Sequence, residues 1–394
     1  MHLMEHLNIA FYTDSYLPAM DGVVTSILNS KAELERRGHN VYIFASSYPR
    51  NIKKYSSKKV FLYPGREFKP YPQYNVALFP YNSAFKLNEL GIDIVHAHTP
   101  MVMGFSALVG AKLFGYPLVS SFHTMVTNKP IMDAYYPRNR HLKKLAATYL
   151  MRYLKFFYNS SDSVIAPTRT TASMLGRHGI RNVNVVPNSI DTKIMNPGVD
   201  GDRIREKLGI KGREKVVLYL GRLSKEKRLE TLLYAARILM KRSGNIRLVI
   251  AGTGPYERHY MDLAKRLGIM GNTLFTGFVD KRQLAGMYAA ADVFCLPSTF
   301  ETQGIVLIEA MAVGTPVVGA NYLATKEMIK AGENGEKFRP GDYTECARKI
   351  EKVLNNTERY KHSAIKTAEE FSKEKVAERL LEIYNLVLSK KGIY

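Results

Sequence analysis

Two glutamates, Glu301 and Glu309, stand with seven residues between them in the stretch PSTFETQGIVLIEAMAVGTPVVGAN, residues 297–321. The apolar run DVFCLP (292–297) has strand character, and residues 299–304 are polar and turn-like. Helix formers follow over 305–313, before Gly314-Thr315-Pro316 stops the helix. The main-chain N–H groups of Gln303, Gly304 and Ile305 are therefore expected at a helix N-terminus, where the helix leaves them unpaired and able to hold an anion. One carboxylate lies just before that anion site and the other about two turns beyond the loop. A ligand with phosphates in the middle and hydroxyl-rich sugars at both ends suits this arrangement, and a nucleotide sugar is such a ligand. Two glutamates at this spacing on a helix are ordinarily a solvated face, so the pair needs its context to carry meaning.

A second loop supplies positive charge. Gly221-Arg222-Leu223-Ser224-Lys225-Glu226-Lys227 follows the apolar run 215–220 and opens a helix at about Glu226. Arg222 offers a planar fork and Lys227 a mobile point charge, both suited to a diphosphate. Their expected task is to neutralise charge growing on a departing nucleoside diphosphate, a preorganised electrostatic role that needs no metal. Near the N-terminus, TDSYLPAMDGVV (13–24) joins a strand to a helix, and Gly22 allows the backbone to approach a phosphate there. Asp14 at that strand end reads equally as a contact to sugar hydroxyls or as a helix cap.

His96 and His98 in IVHAHTP, and His123 in SSFHTM, all fall at strand ends. His-x-His invites a metal reading. Alternate residues on one strand share a face, but no carboxylate or cysteine is placed beside them, so no metal is expected. Two further glycine turns, Gly252-Thr253-Gly254 and Thr276-Gly277-Phe278-Val279, close two strands. By themselves they mean only tight turns.

The elements that must position these residues alternate strand and helix along the whole chain, the pattern of doubly wound parallel sheets in an α/β fold. Strands are expected over 8–12, 41–46, 93–98, 117–123, 163–167 and 183–187, with helices such as 24–37 and 104–114 between them. The scheme repeats with strands over 215–220, 246–251, 273–276, 292–297 and 316–319. A chain of 394 residues exceeds one ordinary core, so two domains are expected. The segment VVPNSIDTKIMNPGVDGD lacks either periodicity. The division reads as a first domain over 1–187, a linker over 188–202, a second domain over 203–372 and a last amphipathic helix over 373–394. Open parallel sheets bind ligands at the carboxyl ends of their strands, and every motif above falls at such an end.

Charge is the unusual bulk property. Fifty-seven Lys and Arg against thirty-five Asp and Glu give +22, which draws a protein toward polyanions. Two windows lack acids: 50–59 (RNIKKYSSKK) and 138–155 (RNRHLKKLAATYLMRYLK), the second with six Lys/Arg and helical periodicity. A basic amphipathic helix of this kind either lies on an anionic bilayer or docks its apolar face on its own sheet. Nucleic acid is not favoured, because no RNP, KH or zinc-finger pattern occurs. No run of about eighteen uncharged apolar residues is present. The N-terminus MHLMEHLNIAFYTD shows no signal-peptide pattern, and the two cysteines, Cys295 and Cys346, argue for neither a disulfide nor a metal site. A reducing cytoplasm fits that usage.

Taken together, PST, Glu-x7-Glu, G-I-V, EAMA and GTPVV resemble the retaining glycosyltransferases of family 4, which have the GT-B fold. The resemblance covers essentially the whole chain and is more specific in the second half. It implies two Rossmann-like domains facing across a cleft, with the last helix crossing back to the first domain. It implies that Glu301 meets donor-sugar hydroxyls and Glu309 the ribose, and that His123 lies against the donor sugar with its carbonyl near the anomeric carbon. The loops with Gly252, Gly254 and Val279 would hold the nucleotide base. The family's G-R-x-x-x-E-K-G is matched except that Arg228 replaces the last glycine, and Asp21-Gly22 stands where members often have Gly-Gly. The implied reaction is metal-independent front-face displacement, with the leaving group stabilised by Arg222 and Lys227 and no side-chain general base. TDSYLPAMDGVVTSI and FETQG look most like the subgroup that glycosylates membrane lipids such as diacylglycerol. The expectation is thus a cytoplasmic enzyme, peripheral on the inner face of the cell membrane, moving glucose from a UDP-linked donor to a lipid. The alternatives are a mannosyl- or glucosyltransferase of surface polysaccharide or glycan and, remotely, a non-catalytic nucleotide-sugar-binding protein.

Overall fold

Short runs of Val, Ile, Leu and Phe, buried on both faces, build two parallel sheets in the computed structural model, which describes residues 6–19, 21–67, 75–78, 80, 82–123, 140–212 and 214–392. The chain divides into two units, Met1–Ser189 with Lys373–Tyr394, and Ile190–Ser372. In the first, β1 (Asn8–Thr13), β2 (Asn40–Ser47), β3 (Val60–Glu67), β4 (Asn75–Ala77), β5 (Ile94–Ala97), β6 (Leu118–Ser121), β7 (Ser163–Ala166) and β8 (Val183–Val185) lie in the order β4-β3-β2-β1-β5-β6-β7-β8. Only β4 runs antiparallel, pairing Arg66 of β3 with Val76. Ile9 of β1 faces Val41 on one side and Ile94 on the other, which fixes the register of the centre.

The second unit orders β9 (Lys215–Leu220), β10 (Ile246–Ala251), β11 (Thr273–Gly277), β12 (Val293–Leu296), β13 (Val317–Ala320) and β14 (Gly335–Phe338) as β11-β10-β9-β12-β13-β14, all parallel. Each sheet therefore reverses its strand order once, between β1 and β5 and between β9 and β12. At such a point two neighbouring loops leave the carboxyl ends in opposite directions and open a crevice.

Three strands, β3, β4 and β14, were not among those expected. β3 carries Pro64 and Gly65 inside it, β4 has three residues, and β14 reads GEKF. β4 and β14 lack the apolar run that announces a buried strand, and the VFLY run of β3 is broken after four residues by Pro64-Gly65. The segment 188–202, expected as a linker, joins the second unit from Ile190 onward. Ile190 and Met195 are buried in that unit's core, and the Ile190 N–H donates to the Phe371 carbonyl at 2.9 Å. The helix Lys373–Lys390 belongs to the first unit. Its Val376, Leu380, Leu381 and Leu388 enter the same core as Val23, Ile27 and Leu34 of the helix Gly22–Arg36.

Candidate active site

In the second unit the reversal point sets the loops after β9 and β12 side by side. Gly221 leaves β9 at φ +153°, a conformation that favours glycine. Two buried tyrosines brace the loop that follows: Tyr219 Oη–H donates to the Arg222 carbonyl at 3.0 Å and Tyr260 Oη–H to the Ser224 carbonyl at 2.8 Å. A 3-10 turn, Lys225–Lys227, then precedes the helix Leu229–Arg242. This presents Lys227 to the neighbouring loop, where its Nζ lies 2.7 Å from Glu301 Oε1 with the two side chains 21% and 13% exposed. Sequence positions 74 apart thus share one charge-assisted hydrogen bond.

The loop after β12 ends in Gly304, in the left-handed region at φ +77°, and the helix Ile305–Ala312 begins with no side chain capping it. The Leu307 N–H donates to the Gly304 carbonyl at 2.9 Å, and the positive end of the helix dipole lies at this loop. Gln303, just before, is buried. Glu309, further along the helix, accepts from Tyr288 Oη–H at 2.8 Å. Burial pushes its carboxyl up to about 7, against the opposing pull of the Tyr288 bond and of Lys281.

Gly252 and Gly254 have a packing reason to be glycine. A Cβ on Gly252 would lie 2.0 Å from the Gly221 carbonyl oxygen, and one on Gly254 2.3 Å from that of Leu223. The two loops are also tied by Leu223 N–H to the Thr253 carbonyl at 3.0 Å. These glycines thus seat the Arg222 loop. In the 276–279 turn Val279 is half-buried and Phe278 is 74% exposed.

The first unit gathers its histidines at the matching end of β5 and β6. His96 is bonded at both nitrogens, Nδ1 with Tyr384 Oη at 2.7 Å and Nε2 with Ser121 Oγ at 2.8 Å. His98 stacks on it with ring centroids 4.0 Å apart, and His98 Nδ1 lies 3.3 Å from His123 Nε2. Burial holds all three rings neutral: His96 falls to about 3, His123 to about 4, and His98 well below its ordinary value. The three line a small pocket with Ser26, Ser30 and Asn188. Among the described residues no cluster of three or more His, Cys, Asp or Glu is placed to hold a metal ion.

Asp14 is a cap. Its carboxylate accepts from Thr99 Oγ1–H at 2.5 Å and from the Met103 N–H at 2.9 Å, at the start of the helix Val102–Phe114. Burial lifts its carboxyl to about 6 despite these bonds. Asp21 caps the helix Gly22–Arg36, taking the Val23 and Val24 N–H groups at 2.9 Å each. A Cβ at Gly22 would meet nothing within 4 Å, so the face of that helix start is open. Thr99, Asn188, Tyr288 and Tyr384 were not singled out in the sequence. No local pattern marks them, since each reaches its partner across tens to hundreds of residues or, for Asn188, from a stretch read as linker.

The basic helix Arg140–Asn159 has two apolar faces. Leu154, Phe157 and Tyr158 are buried, whereas Leu142, Leu145, Tyr149 and Phe156 are 54–60% exposed and recur at helical spacing along one stripe. Arg152 lies over the Tyr149 ring at 5.8 Å, with Lys144 and Lys155 exposed nearby in sequence. Residues 138 and 139 of the basic window lie outside the described residues. No helix among the described residues is long and apolar enough to cross a membrane. Cys295 and Cys346 are buried free thiols with Sγ atoms 3.9 Å apart, beyond the ~2.05 Å of a disulfide.

Residues 20–194 match the family described as Glycosyltransferase Family 4, and residues 200–371 the family described as Glycosyl transferases group 1. The chain is 28% identical to an alpha-monoglucosyldiacylglycerol synthase of Streptococcus pneumoniae over 96% of this chain and 85% of that protein. It is also 28% identical to a GDP-mannose-dependent alpha-mannosyltransferase of Corynebacterium glutamicum, over 88% of this chain and 80% of that one. Among solved structures, Anabaena HepE in complex with UDP-glucose superposes with a TM-score of 0.75 at 20% identity, covering 96% of this chain and all of that one. That likeness gives the GT-B fold.

Proposed function

Because the chain belongs to glycosyltransferase family 4, we propose that it moves glucose from UDP-glucose to a membrane lipid of the diacylglycerol class, with retention at the anomeric carbon and without a metal. The observation that carries the transfer chemistry is the pairing of Lys227 with Glu301 beside the uncapped Ile305–Ala312 helix. In this reading the diphosphate takes the helix N-terminus, Arg222 and Lys227, while Glu301 receives donor-sugar hydroxyls and Glu309 the ribose. Gln303, Gly304 and Ile305 give their N–H groups to phosphate oxygens. The Gly252, Gly254 and Val279 loops border the base, and His123 borders the sugar.

Bond breaking leaves negative charge on the nucleoside diphosphate. The Arg222 backbone, held by Tyr219, and the Lys227 ammonium, held by Glu301, are in place before that charge appears, so their stabilisation requires little reorganisation. A well-placed donor of this kind is worth ~3–4 kcal/mol of barrier. The acceptor oxygen attacks from the same face, its proton leaving toward the departing diphosphate.

The lipid acceptor is supported by the likeness to the pneumococcal synthase and by the exposed apolar stripe on the basic helix Arg140–Asn159, a face suited to an anionic bilayer surface on the cytoplasmic side. A second reading, transfer of mannose from GDP-mannose to a glycan, is favoured by the equal identity to the corynebacterial mannosyltransferase. The test is transfer of labelled sugar from each donor to a membrane lipid extract or to soluble glycan. Label from UDP-glucose in the organic phase is the expected result. Label from GDP-mannose in the aqueous glycan alone would replace the first reading by the second.

A further inference from the structure

His98 is 3% exposed, is stacked on His96, and has one ring nitrogen, Nε2, with no hydrogen-bond partner among the described residues. Its other nitrogen, Nδ1, lies 3.3 Å from His123 Nε2. Both rings are neutral, so one proton lies between those two nitrogens and its owner decides both tautomers. If His123 donated it, His98 would carry its own proton on Nε2, a buried N–H with no acceptor. Orphaned buried N–H groups are rare, more so than lone pairs that go unused. If His98 donates, Nε2 is left as a bare buried lone pair, the less costly of the two orphans.

We propose that His98 is a positioning residue: its Nδ1–H donates to His123 Nε2 and so fixes His123 as the Nδ1–H tautomer. His123 then turns its only N–H toward Asn188, with which its side chain is hydrogen-bonded. Asn188 directly precedes Ser189, whose carbonyl accepts from Asn29 Nδ2–H of the helix Gly22–Arg36 at 2.9 Å. The imidazole of His123 therefore has both nitrogens occupied by protein. What it offers a substrate is its backbone, held still at the end of β6. His96 backs the arrangement, its two nitrogens bonded to the hydroxyls of Tyr384 and Ser121.

That this serves glycosyl transfer rests on the function proposed above, whereas the tautomer does not. The experiment is nitrogen NMR of the ¹⁵N-histidine-labelled chain, with the His123 signals assigned by their loss in His123→Asn. The expected result is a His123 protonated at Nδ1 and bare at Nε2. His98→Asn, whose side-chain amide can take the place of Nδ1–H, keeps that pattern, and His98→Leu loses it. A His123 protonated at Nε2 in the unaltered chain overturns the proposal without any variant having to fold. In transfer assays His98→Leu is expected to lower kcat about tenfold or more at little changed donor KM, with recovery in His98→Asn. Equal kcat loss in both folded variants also overturns the positioning role. The expected NMR pattern in a chain that transfers no sugar would sink the functional reading and leave the tautomer assignment standing.

Discussion

Glu309 is the residue whose chemistry makes the sharpest pH statement. Its carboxyl is raised to about 7 by burial, from an ordinary value of 4.5. In the proposed function a ribose hydroxyl donates to the ionised form, so ligand binding would drive off the proton whenever the pH is below about 7. Nucleoside diphosphate affinity is therefore predicted to rise with pH up to about 7 and then level off, with a slope approaching tenfold per unit on the acid side. Glu309→Gln should bind more weakly at neutral pH and lose this part of the slope. Isothermal titration at pH 5.5, 6.5 and 7.5 separates it from ionisation of the phosphate, which both proteins share. For folding the sign is opposite. The folded state holds this proton more tightly than the unfolded one, so its stability contribution is largest below 4.5 and is lost as pH rises through about 7.

At the scale of elements, the helix Leu229–Arg242 begins in an unfavourable way. Arg228 sits at φ +51°, ψ +42°, in the left-handed region, with an exposed side chain. A non-glycine residue there costs about 1–2 kcal/mol, partly offset because glycine has more freedom to lose on folding. Arg228→Gly is accordingly predicted to raise stability by about 0.5–1 kcal/mol, read as a higher urea midpoint at unchanged slope. The substitution at the family's glycine position was visible in the sequence, but its backbone consequence was not, because φ depends on the turn around it. The same holds for the glycine loops. Gly252-Thr253-Gly254 was legible as a turn, yet the backbone it presses against, Gly221 and Leu223, lies some thirty residues away. Central strands were legible because burial on both faces demands long apolar runs. The edge strands β4 and β14 were not, since edges tolerate short length and charge, and β3, paired on both sides, was masked by the Pro64 and Gly65 inside it. For the basic helix Arg140–Asn159 the sequence offered two docking modes, and the structure gives it one buried face and one exposed apolar stripe.

For the molecule as a whole, a charge of +22 and that exposed stripe should act together. Sedimentation with anionic vesicles at low salt is predicted to carry the protein down. Leu145→Glu with Tyr149→Glu should reduce that binding severalfold while leaving donor affinity in the second unit unchanged. High salt should weaken binding of the unaltered chain without abolishing it, because burying apolar side chains is not screened. Equal binding by the double variant would remove the helix from the membrane account. The two-unit division was foreseeable from length and from the repeated strand–helix scheme. The placement of 190–202 within the second unit was not, because Ile190 and Met195 are isolated apolar residues in a polar stretch.

The central claim is that Lys227 neutralises charge on a departing nucleoside diphosphate. The measurement that meets it most directly is kcat of purified Lys227→Ala against the unaltered chain, with UDP-glucose and lipid acceptor, each checked for folding by circular dichroism. Removing one partner of a mostly buried ion pair should lower stability by about 1–2 kcal/mol, less than the 3–5 of a fully buried pair, and leave the variant folded. The account predicts a fall in kcat of about 10²–10³-fold. A folded Lys227→Ala that transfers glucose at nearly the unaltered rate would contradict it.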